Sequence, residues 1–464
     1  MIFSPQRYKI ADQIGQPFID EDEIVDYLKI TPTEQDVDKV IARSMDKHRL
    51  TMQETAILLN APNRQVVKDA AAKLKKTIYG NRIVLFAPLY VGNMCSNSCA
   101  YCAFRRENSQ TVRKTLSTQE IDQQVDALTG QGHKRLILVY GEHPIYSADF
   151  IANNVRQVYK NTNIRRLNIN AAPMSVDDFR TVHQAKIGTF QIFQESYFRS
   201  TYATHHPQGR KADYVWRLTA LDRAMQAGID DVGLGALLGL QQSWKNEIMG
   251  LVRHTNHLEA CFGVGPHTIS FPRITHATGI APENQYPVLD EDFLFLIAVL
   301  RLAVPYTGLI LTAREGAQVR GQAIEYGVSQ IDGGTHIEIG GYSPSNDKTQ
   351  EGGAQFTIND SRSLAQVIAW LVATDHLPSF CTACYRQGRT GEHFMEFSTK
   401  GFIKRFCTPN AILTFAEYLE DYASQGDRAN GYALIDKELA AMTDTEDILQ
   451  KLEKIKKGER DIYY

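Results

Sequence analysis

The sequence has no stretch of about 18 consecutive apolar residues, the length a helix needs to cross a bilayer, and so offers no membrane span. Its opening, MIFSPQRYKIADQIGQPF, lacks the basic and apolar blocks of a secretion signal. There is no basic excess: 50 Lys and Arg stand against 53 Asp and Glu, a net charge of −3. That removes the electrostatic footprint of a protein that binds nucleic acid or an anionic membrane. Cysteine is scarce, seven in 464 residues. An odd count without a secretion signal argues against a disulfide framework. The expectation from these absences is a soluble, cytoplasmic protein with no nucleic-acid partner and no membrane. The length and an apolar share of 43% suit one large domain with extensions, or two to three smaller ones.

The few cysteines are not scattered. Cys95, Cys99 and Cys102 fall within CSNSCAYC, Cys381, Cys384 and Cys407 form a second triplet, and Cys261 stands alone. Around them the chain alternates. Residues 1–80 read as helical, with a capping box at Thr51 and Glu54, a weaker one at Thr33 and Asp36, and Gly80 as the stop. Strand-like runs then recur between amphipathic stretches: 82–91, 135–140, 165–170, 188–193, 230–238, 267–271, 308–313 and HIEIGG at 336–341. Eight such runs alternating with helices predict an α/β fold, a (β/α)8 barrel over 81–340, with a doubly wound open sheet as the rival. The polar, Gly-rich 340–355 reads as a loop leaving the barrel. A mostly helical C-terminal region over 341–464 follows, ending in LEKIKKGERDIYY as a solvated tail.

The first triplet sits just after the first strand run, on the loop at the face where barrels place their chemistry. Structural zinc usually takes four ligands from two separated pairs. Three thiolates on one short loop can instead meet three corners of an iron–sulfur cubane and leave the fourth iron open. The second triplet, C-x2-C-x22-C, allows zinc, with His376 or His393 as a further ligand, or an auxiliary iron–sulfur cluster with its own open corner.

The C-x3-C-x2-C spacing after the first strand resembles the radical S-adenosylmethionine (SAM) superfamily. That resemblance implies a [4Fe-4S] cluster whose open iron holds SAM and whose electron yields a 5′-deoxyadenosyl radical. YGEHP (140–144) resembles the superfamily element that contacts the SAM amino group, which gives Glu142 that role, the alternative being an ordinary loop glutamate. DDVGLGALLGLQ (230–241) resembles the segment beside the adenine, with Gly233 and Gly235, and Tyr101 would lie near the same base.

The two triplets together, with FQESYFRSTYATHHPQGRKADYVWRL (193–218), GVGPHTISFPRI (263–274), LTAREGAQVRGQAIEYGVSQIDGG (311–334) and CTACYRQGRTGEHFM (381–395), resemble the HydG family. These are tyrosine-cleaving radical SAM maturases of [FeFe]-hydrogenase. The barrel portion also resembles ThiH, the tyrosine lyase of thiazole synthesis, which lacks the C-terminal triplet. The resemblance implies cleavage of the L-tyrosine Cα–Cβ bond to p-cresol and dehydroglycine. Dehydroglycine then becomes carbon monoxide and cyanide at the auxiliary cluster, and both leave on an Fe(CO)2(CN) unit with a free cysteine as iron ligand. It implies a [5Fe-5S]-like auxiliary centre whose extra iron is held by one histidine, best matched by His267, with His254 and His257 as competitors. An electron donor such as a ferredoxin or flavodoxin, and the maturases HydE and HydF, are the implied partners.

Tyrosine's carboxylate calls for a cation, and arginine offers a two-pronged fork. Arg314, closing the seventh run, is the first choice and Arg273 the second, with a structural ion pair as the alternative for both. Gln194, Glu195 and Asn170 end strand runs where substrate or SAM groups would sit. Cys261 reads as a buried free thiol, and His205 and His206 as part of a polar loop. Two positions depart from the family: Gly316 stands where proline is expected, and Ser196 where threonine is. A tyrosine lyase that stops at dehydroglycine, and a non-enzymatic iron–sulfur carrier, stay open as alternatives.

Overall fold

The computed structural model describes residues 15–280, 285–343, 353–386 and 403–464. His393 and most of the 340–355 stretch lie outside the described residues. Eight parallel strands close into a barrel: β1 (Arg82–Gly92), β2 (Arg135–Tyr140), β3 (Arg166–Asn170), β4 (Phe190–Glu195), β5 (Val232–Ala236), β6 (Thr268–Ser270), β7 (Gly308–Leu311) and β8 (Gln330–Asp332). Strand β8 pairs with β1, and β1 with β2, so the sheet has no free edge there.

Seven of the eight expected runs form strands. The eighth does not: β8 is QID at 330–332, and 336–341 forms bends and turns after it. The H-I-E-I alternation copies a half-buried strand, but Gly333 and Gly334 end β8 first, the latter at φ +60°.

Both expected capping boxes form, Thr33 with Asp36 and Thr51 with Glu54, and Gly80 ends the helix Arg64–Tyr79 at φ 62°. The N-terminal helices pack on barrel helices: Tyr79 donates its hydroxyl to the Tyr306 carbonyl at 2.7 Å, and Ser44 to that of Leu302 at 2.7 Å.

The C-terminal region holds a strand that the sequence does not announce. β9 (Leu377–Ser379) runs parallel to the first residues of β1, with Arg82 opposite Leu377 and Val84 opposite Ser379. β1 starts below the level of β2, whose ladder with it begins only at Ala87. The overhang accepts β9, and β9 delivers Cys381 under the barrel floor.

The C-terminal residues, mostly solvent-exposed as expected, are also anchored at several points. Asn410 brackets the Tyr464 backbone at 2.7 and 3.1 Å, Glu417 accepts the Asp461 N–H at 2.6 Å, and Arg460 pairs with Asp421. Among the described residues no helix is long and apolar enough to cross a membrane.

Candidate active site at the barrel mouth and second cysteine site at its floor

Side chains alternate along each barrel strand between the interior and the layer under the helices. The interior residues divide into two cavities. The upper one, about 180 Å3, lies at the C-terminal ends of the strands and is lined by Cys95, Cys99, Cys102, Tyr101, Glu142, Asn170, Glu195 and Arg314, among others. The lower one, about 50 Å3, lies at the strand starts and is lined by Cys381, Cys384, Cys407, His267, Arg82, Arg135 and Asp231, among others. Val84 borders the lower cavity and Phe86 the upper, two residues apart on β1, or about 7 Å.

The loop carrying the first triplet is stitched down on three sides. Ser96 N–H reaches the Glu142 carbonyl at 2.9 Å, Ala100 N–H that of His205 at 2.9 Å, and Ala103 N–H that of Gln355 at 3.2 Å. Gly141 is required here, since a Cβ would sit 2.2 Å from the Met94 carbonyl oxygen. His205 and His206, expected in a polar loop, are buried at the end of the helix Arg199–His205, and His206 Nε2 lies 2.9 Å from the Tyr101 hydroxyl.

Above this loop runs a charged network. Glu142 accepts from Arg217 at 2.6 Å and from Asn97 at 2.9 Å. Burial would raise its pKa, but Arg217 and Lys211 outweigh that and hold it below the ordinary carboxylate range. Lys211 donates to Glu195 at 2.7 Å. Glu195 has φ 71°, a left-handed conformation that costs a non-glycine residue about 1–2 kcal/mol. Arg314 forms no ion pair among the described residues, and its guanidinium stacks 3.3 Å from the Phe356 ring centroid.

Four residues expected at the site fall elsewhere. Arg273 is tied to Glu315 and to Asp290 (2.7 Å), away from the cavity lining. Gln194 points into the layer outside the barrel, between the inward Phe193 and Glu195. Gly233 and Gly235 do not line the upper cavity. A Cβ at Gly233 would meet Thr268 Oγ1 at 2.5 Å, and one at Gly235 the Phe193 ring at 2.4 Å, so both glycines serve barrel packing. Conversely, Lys211, Arg217 and Gln355 line the cavity without standing out in the sequence. Their signal is the basic GRKADYVWRL stretch and the polar residue that ends the Gly-rich 340–355, neither of which says which side chains turn inward.

At the floor, burial pushes the Cys381 thiol up to about 11, and a hydrogen bond with Cys407, joined by burial, raises that of Cys384. Burial also lowers the His267 pKa, with Asp231 opposing and Arg135, Arg166 and Arg82 adding to it, so the imidazole is neutral and fit to ligate. His254 and His257 are elsewhere. His254 Nδ1 meets the Tyr197 hydroxyl at 3.0 Å, and His257 meets Asp222 at 3.0 Å with Cys261 beside it at 3.7 Å. His376 contacts Thr374 and Glu325 and does not line the floor cavity.

Among the described residues no group of three His, Cys, Asp or Glu side chains could hold one metal ion. The triplets are instead disposed around cavities. That suits a cubane, whose ligands attach to different irons, better than mononuclear zinc. Burial raises all three upper thiols, Cys95 to about 11, and Cys102 stands close enough to raise both of the others.

A closed (β/α)8 barrel with three clustered thiols and an acidic strand end at its mouth defines a radical SAM enzyme. The radical SAM superfamily model matches residues 89–252, and that of the biotin and thiamin synthesis associated domain matches 270–376. The chain is 29% identical to the 2-iminoacetate synthase of Escherichia coli K12 over 72% of its length and 87% of the relative's. A solved structure of HydG, described as a maturase of the [FeFe]-hydrogenase, superposes with a TM-score of 0.92 at 42% identity, covering 96% of this chain and 100% of that one. The HydG of Carboxydothermus hydrogenoformans follows at 0.82 and 35%, covering 94% and 99%. The chain belongs to the HydG family.

Proposed function

We propose that this protein cleaves L-tyrosine to p-cresol and dehydroglycine at the barrel mouth. It converts dehydroglycine to carbon monoxide and cyanide at the floor, supplying an Fe(CO)2(CN) unit for [FeFe]-hydrogenase assembly. The upper cluster with SAM supplies the radical that starts the cleavage. Cys95, Cys99 and Cys102 hold that cluster and Glu142 receives the SAM amino group. Glu142 is already ionised and oriented by Arg217 and Asn97. Arg314, stacked on Phe356 and free of any carboxylate among the described residues, grips the tyrosine carboxylate. The closed barrel wall keeps water from the radical.

The observation that carries this reading over a lyase stopping at dehydroglycine is the floor cavity, where three thiols and a neutral His267 line one space. A carrier has no use for the Glu142 and Arg314 arrangement above it. Three thiolates hold the auxiliary cluster, and His267 holds the extra iron that carries a free cysteine. A ferredoxin- or flavodoxin-type donor and the other maturases, HydE and HydF, are the partners this role requires.

The test is anaerobic turnover of reconstituted protein with SAM, L-tyrosine, cysteine and dithionite. Cys384→Ala should keep p-cresol and lose carbon monoxide and cyanide. p-Cresol with glyoxylate and no carbon monoxide from the unaltered protein would make it a 2-iminoacetate synthase. Intact, reducible clusters without SAM cleavage would leave only the carrier reading.

A further inference from the structure

Gln355 lies beyond the barrel, as the last residue of the Gly-rich stretch 340–355, yet it reaches back into the upper cavity. Its Nε2 donates to Cys102 Sγ at 3.4 Å, and its Oε1 accepts the Tyr90 hydroxyl at 3.1 Å. Its backbone carbonyl takes the Ala103 N–H, one residue past Cys102, at 3.2 Å. Three contacts thus lock one residue against one cluster cysteine.

The amide orientation follows from chemistry. A cluster-bound cysteine is a thiolate and can only accept, so the NH2 must face sulfur and the carbonyl oxygen must face Tyr90. The Tyr90 phenol is available as donor, because burial keeps it protonated. Tyr90 sits on β1, the longest strand of the barrel, and so presents its hydroxyl from rigid scaffold.

We infer that Gln355, oriented by Tyr90, is a positioning residue whose N–H···S bond sets the reduction potential of the SAM-binding cluster. A donor hydrogen bond to a thiolate draws charge from the sulfur and stabilises the cluster state with one more electron. The step affected is a one-electron reduction by an external donor of the ferredoxin or flavodoxin class, in which no protein bond forms or breaks. This concerns the upper cluster alone and stands whatever substrate the enzyme takes.

The experiment is an EPR-monitored redox titration of the reconstituted full-length protein, following the reduced-cluster signal that changes when SAM is added. Gln355→Leu and Tyr90→Phe are compared with the unaltered chain. The expected result is a more negative potential in Gln355→Leu, a smaller shift of the same sign in Tyr90→Phe, and unchanged iron content. SAM cleavage by Gln355→Leu should fall with dithionite and recover with the stronger reductant titanium(III) citrate. An unchanged potential in Gln355→Leu with full iron overturns the inference. If that variant fails to hold its cluster, Tyr90→Phe decides: a lowered potential supports the assignment and an unchanged one overturns it.

Discussion

Arg314 differs from the other cations of the upper cavity in having no carboxylate partner among the described residues. Lys211 and Arg217 are committed to Glu195 and Glu142, whereas Arg314 rests on an aromatic face. A hydrogen bond to a charged group is worth about 1.5–3 kcal/mol. Arg314→Met should therefore lower kcat/KM for tyrosine about 10- to 100-fold, with SAM affinity unchanged, as steady-state kinetics and equilibrium SAM binding would report. Glu247 carries a pH effect. It is buried and accepts the Ser196 hydroxyl at 2.6 Å and the Tyr197 N–H at 2.8 Å, beside the strained Glu195. Ser196, where the family pattern has threonine, thus keeps the hydroxyl that this bond requires. Burial raises the Glu247 pKa from 4.5 to about 7. The folded chain therefore holds this proton where the unfolded chain has lost it. Stability falls as pH rises through that window, and the cost is fully present above it. Thermal melts from pH 5 to 8 should show a decline that Glu247→Gln flattens. At this scale the two cysteine triplets, Glu142 and Arg314 can be picked out because motif spacing and strand ends mark them, and all of them line the two cavities. Gln194 and Arg273 mislead because ending a strand run does not say which face a side chain takes. A shift of one residue turns it from the cavity to the helix layer.

Strands are where the sequence reads best and also where it fails. Short continuous apolar runs such as RLILVY read as strands buried on both faces, and β2 spans those six residues. β8 and β9 are three residues each, and unlike the equally short β6, which lies inside the expected run 267–271, both are defined by what they pair with. β9 matters more than its length suggests, because it fixes where the second triplet begins. Cys381 follows it by two residues, and its carbonyl is held by Arg135 at 2.8 Å. Ser379→Pro would remove an N–H from the parallel ladder and the hydroxyl that accepts the Cys381 N–H at 3.3 Å. Floor-site iron should be lost while mouth-site iron is retained. Iron analysis and product assays would then find p-cresol without carbon monoxide or cyanide. Loss of both clusters would mean that β9 supports the whole barrel rather than its floor.

Across the molecule, the C-terminal region acts as a plug held at two points. β9 anchors one end of the second triplet, and the helix Ile403–Asp421, which carries Cys407, anchors the other. The spacing of the second triplet marks a site but not its place at the barrel floor, since closure of a barrel from below depends on contacts some 250 residues apart. Arg165, just before β3, pairs with Glu417 at 2.9 Å and with Asp461 at 2.8 Å. Glu417 also accepts the Asp461 and Ile462 N–H groups at 2.6 and 3.1 Å. One buried carboxylate thus ties barrel, helix and C-terminal residues together. Removing it leaves two N–H groups unsatisfied and Arg165 with only Asp461, so Glu417→Ala should cost about 2–4 kcal/mol. Because the same helix presents Cys407, the loss should not be evenly spread. Chelator-driven release of floor-site iron should accelerate in Glu417→Ala while that of mouth-site iron does not, with p-cresol formation outlasting cyanide formation during the treatment. Equal acceleration at both sites would mean that the plug and the barrel unfold as one cooperative unit.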